Sequence, residues 1–280
     1  MKFGFVTCVQ LGKSCMDAIY NIDGRLDLVL TLEDTQAKNK SGRVYLDDFC
    51  SAHNIPLIKS SHINNDACVD AIKQYDIDWL FIIGWSQIAN NEVLNAPNKG
   101  VLGIHPTLLP QGRGRAAIPW AILKGLKQTG VTMFKLDEAV DTGEILEQVV
   151  IPLSDNSTAT ILYDLVNEAH VELIENIFPQ LRDDNVKLLV QESSLATEWP
   201  GRGPSDGEID LAGSVYDAER LVRAVTKPYP GAFTFKAGVK YVIWESKICD
   251  SSDSIGSDES LTFKDGVLRL VEFQKVESNS

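Results

Sequence analysis

The sequence is short of basic residues. Its 26 Lys and Arg stand against 39 Asp and Glu, giving a net charge of −13 and a pI near 4.7. Nonspecific binding to nucleic acid relies on clustered Lys and Arg that neutralise phosphates. The overall field of this chain opposes that, so a nucleic-acid partner is not expected, although a local basic pocket for one phosphate group is compatible with it. Long hydrophobic runs are also missing. The longest, such as WLFIIGW, are far too short to span a bilayer, and no membrane partner is expected. The start, MKFGFVTC, reads as an immediate β-strand and lacks a signal peptide's cleavage pattern. Five cysteines (Cys8, Cys15, Cys50, Cys68 and Cys249) are scattered with no C-x-x-C pair. An odd, unclustered set predicts reduced thiols and a cytoplasmic location. No ligand spacing points to zinc, and no metal is expected. There is no internal repeat. The glycine pattern GRG matches neither a Walker A loop nor a dinucleotide fingerprint.

What is present is apolar patterning. With 280 residues and 44% hydrophobic content, the chain can bury a large domain plus a small one. Residues 2–8, 26–32, 78–85 and 100–105 are short continuous apolar runs, which read as buried parallel strands. Amphipathic stretches lie among them at Ser14–Asn21, Tyr45–His53 and Asp66–Tyr75, the last with Ala67, Val69, Ala71 and Ile72 available to bury. This alternation predicts a doubly wound, mainly parallel α/β sheet. Residues 33–43 read as a polar mobile loop. A short helix over 115–125 would take Pro119 in its first turn. Residues 128–136 and 144–152 alternate like paired strands. From Ala159 to Leu181, Ile161, Leu162, Leu165, Val166, Ala169, Leu173, Ile174 and Ile177 recur at three- and four-residue steps, the strongest helix signal in the chain. The spacing predicts a large α/β domain over 1–184, a Pro/Gly-rich linker over 185–207 and a small β-rich domain over 208–280. The last holds a helix at Asp217–Val225, strands at Ala232–Lys236, Tyr241–Ser246, Ser260–Lys264 and Val267–Gln274, and a loop or hairpin tip at SSDSIGSDES.

The most informative stretch is Gly100–Pro119, GVLGIHPTLLPQGRGRAAIP. It sets His105 at a strand-to-loop junction before a Pro/Gly-rich turn. Asp141 follows 36 residues later in a second glycine turn, VDTGEIL. A His and an Asp on two such turns suit general acid/base chemistry. Taken alone, His105 reads first as a core histidine bonded to a backbone carbonyl. The turn after the first strand, VQLGKSC, leads into a helix whose N-terminal amides can face an anion, making Gln10, Gly12, Lys13 and Ser14 candidates for an acceptor phosphate. Arg113 and Arg115, in the glycine loop, are candidates to steer a pyrophosphate.

The segment resembles the folate-dependent formyltransferases, which include the methionyl-tRNA, glycinamide ribonucleotide and sugar N-formyltransferases. The matching residues are His105, Thr107, Leu108, Leu109, Pro110, Arg113, Gly114, Asp141 and Gly143, and further similarity runs through GVTMFKLDEAVDTGEILEQVVIPL and RAVTKPYPGAF. One position departs: the Asn of the relatives' Asn-x-His is Gly103 here. The resemblance implies a Rossmann-like catalytic domain and an OB-like C-terminal domain. It implies N10-formyltetrahydrofolate as co-substrate and a small-molecule amine as acceptor. Formyl transfer places negative charge on the formyl oxygen and takes a proton from the attacking nitrogen. His105 and Asp141 are the expected catalytic residues. Gln87 is the side-chain candidate to replace the missing amide, beside a backbone N–H or a water, and reads equally as a surface loop residue. The pterin slot falls on Trp85, Ser86, Gln87 and Ile88 on one side and Asp137, Glu138, Ala139 and Val140 on the other, although Trp85 and Ile88 also suit the core. The expected acceptor is a nucleotide-linked aminosugar. Residues 201–280 hold 10 Lys and Arg against 13 Asp and Glu, which disfavours tRNA. The alternatives are methionyl-tRNA formyltransferase, hydrolysis of formyltetrahydrofolate, and a non-catalytic folate- or nucleotide-binding module. Oligomeric state stays open.

Overall fold

A computed structural model describes residues 1–36, 38, 42–249 and 259–276, so most of the SSDSIGSDES run lies outside the described residues. Packing divides the chain into two compact units. The first takes Met1–Arg113, Gly130–Ile151 and Val166–Glu198, and the second takes Gly114–Thr129, Pro152–Leu165 and Trp199–Ser280.

In the first unit, strands and helices alternate as β1 (Phe3–Val6), α1 (Gln10–Asn21), β2 (Leu28–Leu32), α2 (Asp47–Ala52), β3 (Leu57–Ser60), α3 (Asp66–Gln74), β4 (Trp79–Ile82), a single turn α4 (Asn91–Leu94) and β5 (Gly100–His105). The two-residue β6 (Arg113–Gly114) comes next; helix α5 (Ala117–Leu123) belongs to the second unit, and β7 (Gln128–Lys135), β8 (Ile145–Pro152) and most of the long α6 (Ala159–Arg182) to the first. The sheet order is β3-β2-β1-β4-β5-β7-β8. The first five strands are mutually parallel, and β7 runs antiparallel to β5 with His105 opposite Thr132. A parallel sheet covered on both faces demands apolar residues at every position, and β1, β2 and β4 are buried throughout. Phe3, Phe81 and Phe178 pack together, with the rings of Phe3 and Phe178 4.5 Å apart. Each fully buried ring contributes roughly 1.5–3 kcal/mol.

The departures from the pattern have local reasons. Strand β3 carries no continuous apolar run because it is the outer strand. Its Leu57, Ile58 and Lys59 are only half-buried, and Lys59 pairs with Asp34 and Asp47 at 2.8 and 2.7 Å. In α3 the buried position is Cys68 and not Ala67, which faces solvent. A free cysteine packs as a small hydrophobe. Along α6, Ile161 is exposed and Leu165 half-exposed, while His170 and Phe178 are buried. Arg43, at the end of the polar 33–43 segment, forms a β-bridge with Val9.

The 185–207 segment is not a free linker. Leu189 forms an antiparallel bridge with Ile145, and the carbonyl of Thr197 accepts from Arg113 N at 2.9 Å. Strand β9 (Glu198–Trp199) pairs with β6, and Arg115 N donates to the Trp199 carbonyl at 3.1 Å. The segment looks like a linker because its bonds are made by backbone, which side-chain composition does not reveal.

In the second unit, α7 (Val215–Val225) packs on a four-stranded sheet of β10 (Ala232–Lys236), β11 (Val239–Cys249), β12 (Ser260–Phe263) and β13 (Gly266–Val276), in the order β10-β11-β13-β12. All pairings are antiparallel. Four described strands form a half-barrel, one short of the five strands of an OB-fold. Ser214 caps α7 through Tyr216 N at 3.2 Å, and Asp265 accepts from Val215 N at 2.9 Å. These bonds satisfy N–H groups that a helix start otherwise leaves open.

Candidate active site

His105 is the last residue of β5, and only 8% of it is exposed. Its Nε2 lies 2.8 Å from the Gly112 carbonyl and its Nδ1 3.5 Å from Asp141 Oδ2. A carbonyl only accepts, so Nε2 donates to it, and the second ring nitrogen faces a carboxylate. A neutral imidazole has one N–H and can satisfy one of these acceptors, whereas an imidazolium satisfies both. The pair can therefore hold a proton and pass it within a site from which most water is excluded. Beneath it, His170 donates Nδ1–H to the Val166 carbonyl at 2.7 Å. Burial pushes its pKa down to about 4, with a smaller push from His105, so His170 is neutral around pH 7.

The loop that carries the Gly112 carbonyl is fixed from below. Thr132 Oγ1 donates to the Thr107 carbonyl at 2.7 Å and accepts from Leu109 N and Gln148 Nε2. Gln148 Nε2 also donates to the Leu109 carbonyl at 2.8 Å. Asp141 has φ +57°, in the left-handed region that a non-glycine residue seldom occupies. Strain of this kind persists only where neighbours over-determine it. Gly143 follows so closely on Lys135 that a Cβ there would sit 1.7 Å from its carbonyl oxygen, which excludes every other residue.

The structure separates the other sequence candidates. Gln87 is tied to the β3–α3 loop: its Oε1 accepts from Ile63 N and its Nε2 donates to the Ser61 carbonyl, both at 2.9 Å. That corrects the expectation that it offers a replacement amide. The side of Gly103 where a Cβ would project is filled by Leu136, whose Cδ2 would lie 2.7 Å from that atom, so hydrocarbon and not a donor occupies the space. Leu136 and Trp85 both pack on one core cluster, and Trp85 Nε1 is buried without a partner. Ile88 is 80% exposed and Val140 62% exposed, which corrects the core reading of Ile88. Ser86, Glu138 and Ala139 are exposed. The Asp137 carboxylate accepts from Thr142 Oγ1 at 2.7 Å and Ala139 N at 3.2 Å, so it shapes its own turn.

The α1 cluster does not form an open anion cradle. Gln10 N donates to the Gly42 carbonyl at 2.7 Å, and Gln10 Nε2 donates to Ser14 Oγ at 3.4 Å. Lys13 pairs with Asp17 at 2.6 Å and lies over the Phe49 ring. Gly12 packs on Thr7. The two arginines also divide. Arg113 is 8% exposed, with its guanidinium on Gln191 Oε1 (Nη2 at 2.8 Å), so it is a framework residue and not an anion-steering one. Arg115 is exposed and, in the second unit, lines a cavity of about 490 Å³ with Arg202, Tyr229, Pro119 and Val225. Arg202 lies over the Trp120 ring at 4.9 Å, and its Nε is buried without a partner. Burial pushes the Tyr229 hydroxyl up to about 12. Sequence reasoning missed Gln191, Arg202 and Tyr229. Gln191 has no local signal, since its partners lie 48 to 78 residues away.

Among the described residues, no group of three His, Cys, Asp or Glu side chains can hold a metal ion, and no helix is long and apolar enough to cross a membrane. The chain matches the family model described as formyl transferase over residues 28–177 and the formyl transferase C-terminal domain over residues 203–277. Solved structures share its fold. An N-formyltransferase from Helicobacter canadensis, in complex with folinic acid and dTDP-3-aminofucose, is 16% identical with a TM-score of 0.72, over 96% of this chain and 99% of that one. HypX from Aquifex aeolicus, in complex with tetrahydrofolic acid, is 18% identical with a TM-score of 0.71, over 99% of this chain and 46% of that one. The methionyl-tRNA formyltransferase from Clostridium thermocellum is 17% identical with a TM-score of 0.65, over 99% and 100%. At these identities the likeness is one of fold.

Proposed function

The chain belongs to the formyl transferase family, and on that premise we propose that it moves the formyl group of N10-formyltetrahydrofolate to the amine of a nucleotide-linked aminosugar. The observation that carries the reading is the buried His105–Asp141 pair at the end of β5. The folate supplies the formyl carbon. The amine attacks the formyl carbon and the bond from that carbon to N10 breaks; the pair takes up the proton that leaves the amine and returns it to N10 of the departing tetrahydrofolate. Asp141 keeps the ring oriented and compensates its positive charge.

The residues fit a flat, hydrogen-bonding pterin. Ile88 and Val140 are large apolar side chains left in water, and Trp85 Nε1 is a buried donor without a partner. Apolar walls with a few convergent polar groups are what a pocket for such a ring requires. In this reading Trp85–Ile88 and Asp137–Val140 hold the pterin. The acceptor's nucleotide falls to the cavity of Arg115, Arg202 and Tyr229, where two guanidinium groups stand beside proline, valine and tyrosine surfaces. Arginine is suited to phosphate oxygens by its planar fork of donors. The bound dTDP-3-aminofucose of the Helicobacter canadensis enzyme supports this choice of acceptor class. The acidic 201–280 region, with 10 Lys and Arg against 13 Asp and Glu, weighs against tRNA.

Steady-state kinetics test the acceptor assignment. Arg115→Ala and Arg202→Ala should each raise KM for the nucleotide-linked amine about 10-fold or more, as loss of a charge-assisted hydrogen bond does, with kcat little changed. An unaltered KM in both variants would move the acceptor away from this cavity.

A further inference from the structure

We infer that Gln191 is the positioning residue that sets Asp141 against His105; this rests on the functional reading above. Its side chain is buried, and its amide makes four hydrogen bonds. Oε1 accepts from Arg113 Nε at 3.2 Å and from Arg113 Nη2 at 2.8 Å. Nε2 donates to the Asp141 carbonyl at 2.9 Å and to the Gly143 carbonyl at 2.7 Å. A primary amide has two N–H donors and two lone pairs on its oxygen, so every bonding capacity of this group is used within the protein. Gln191 therefore has nothing left to offer a substrate and acts only through the residues it holds.

Those residues are the ones that define His105. Arg113 directly follows Gly112, whose carbonyl accepts the hydrogen bond from Nε2–H of the imidazole. Asp141 faces Nδ1. A single amide thus joins the two chain segments that address the two nitrogens of one ring. The bonds to the Asp141 and Gly143 carbonyls hold the 141–142 and 143–144 peptide planes, with the 142–143 peptide between them. That supplies a restraint for the left-handed conformation of Asp141, which is otherwise disfavoured. The Leu189–Ile145 bridge anchors Gln191's own segment two residues earlier.

Gln191→Glu is the sharpest test, because it is isosteric and keeps the acceptor for Arg113. It removes both donations and turns an oxygen toward two carbonyl oxygens. The expected result is a kcat lower by about 10–100-fold, the effect of misplacing a catalytic group by about an ångström, with KM for donor and acceptor within about twofold. Because Gln191 acts through Asp141, the double variant Gln191→Glu/Asp141→Asn should be no slower than Asp141→Asn alone. Losses that multiply, or an unchanged kcat in Gln191→Glu, would overturn the inference. If the glutamate variant fails to fold, Gln191→Asn, which withdraws the amide by one methylene, should likewise lower kcat with both KM values within about twofold, and an unchanged kcat would overturn the inference. If the wild-type protein transfers no formyl group, the functional reading fails separately. A crystal structure of the Gln191 variant then still decides: the Asp141 Oδ2 to His105 Nδ1 separation should open beyond 3.5 Å, and an unmoved carboxylate would contradict the assignment.

Discussion

His105→Ala is expected to lower kcat for formyl transfer by about 10²–10⁴-fold, the range that a positioned acid/base contributes, while the protein still folds. The imidazole is the group at the end of β5 that meets both a carbonyl and a carboxylate, and alanine can neither hold nor pass a proton. Removing it also leaves the Gly112 carbonyl without its donor, at a cost of about 1–3 kcal/mol if that carbonyl stays unsatisfied. A drop of several degrees in Tm follows, since each kcal/mol is worth about 2–4 °C in domains of 150–250 residues. Circular dichroism and steady-state kinetics on the same preparation separate the two effects. A folded His105→Ala protein that keeps roughly half of wild-type kcat would remove His105 from the chemistry.

Asp141→Asn is expected to lower kcat by a similar order, about 10²-fold or more, with folate affinity nearly unchanged. Asparagine is the clean probe here. It tolerates the left-handed backbone at φ +57°, and it preserves the carbonyl on which Gln191 donates. The negative charge facing Nδ1 is lost. His170 does not confuse this readout near neutral pH, because burial pushes its pKa down to about 4. A folate titration beside the kinetics decides the role. Weaker folate binding with an unchanged kcat would make Asp141 a binding residue instead.

Much of this was legible in the chain. The apolar runs of β1, β2, β4 and β5 required a covered parallel sheet, and β5 ends on His105 as the run GVLGIH indicates. The histidine and aspartate could be picked out from the formyltransferase-like segment around them, with His105 directly before Pro106 and Asp141 two residues before Gly143. Gln191 could not, because a single polar residue in VQESS takes its meaning only from Arg113, Asp141 and Gly143. Arg113 and Arg115 show the same limit. Strand alternation would put residues two apart on one face, but Gly114 at φ +106° breaks the extended path between them. Arg113 is then buried on an amide while Arg115 lines a cavity. Gly103 was legible as a departure, but not its reason: Leu136 closes over it from a strand end 33 residues on. The alternative core reading of Ile88 fails: an apolar residue after a core strand usually continues the core, and here it is left in water.

The central claim is that this protein passes a formyl group from a reduced folate to a nucleotide-linked amine. The most direct measurement is tetrahydrofolate release from N10-formyltetrahydrofolate, followed with and without a panel of nucleotide-linked aminosugars, with the amine product identified by mass spectrometry. Release that requires the amine and matches formylated product one for one is the predicted result. Release at the same rate without any amine would show a hydrolase, and binding of the folate with no release under any condition would contradict the account.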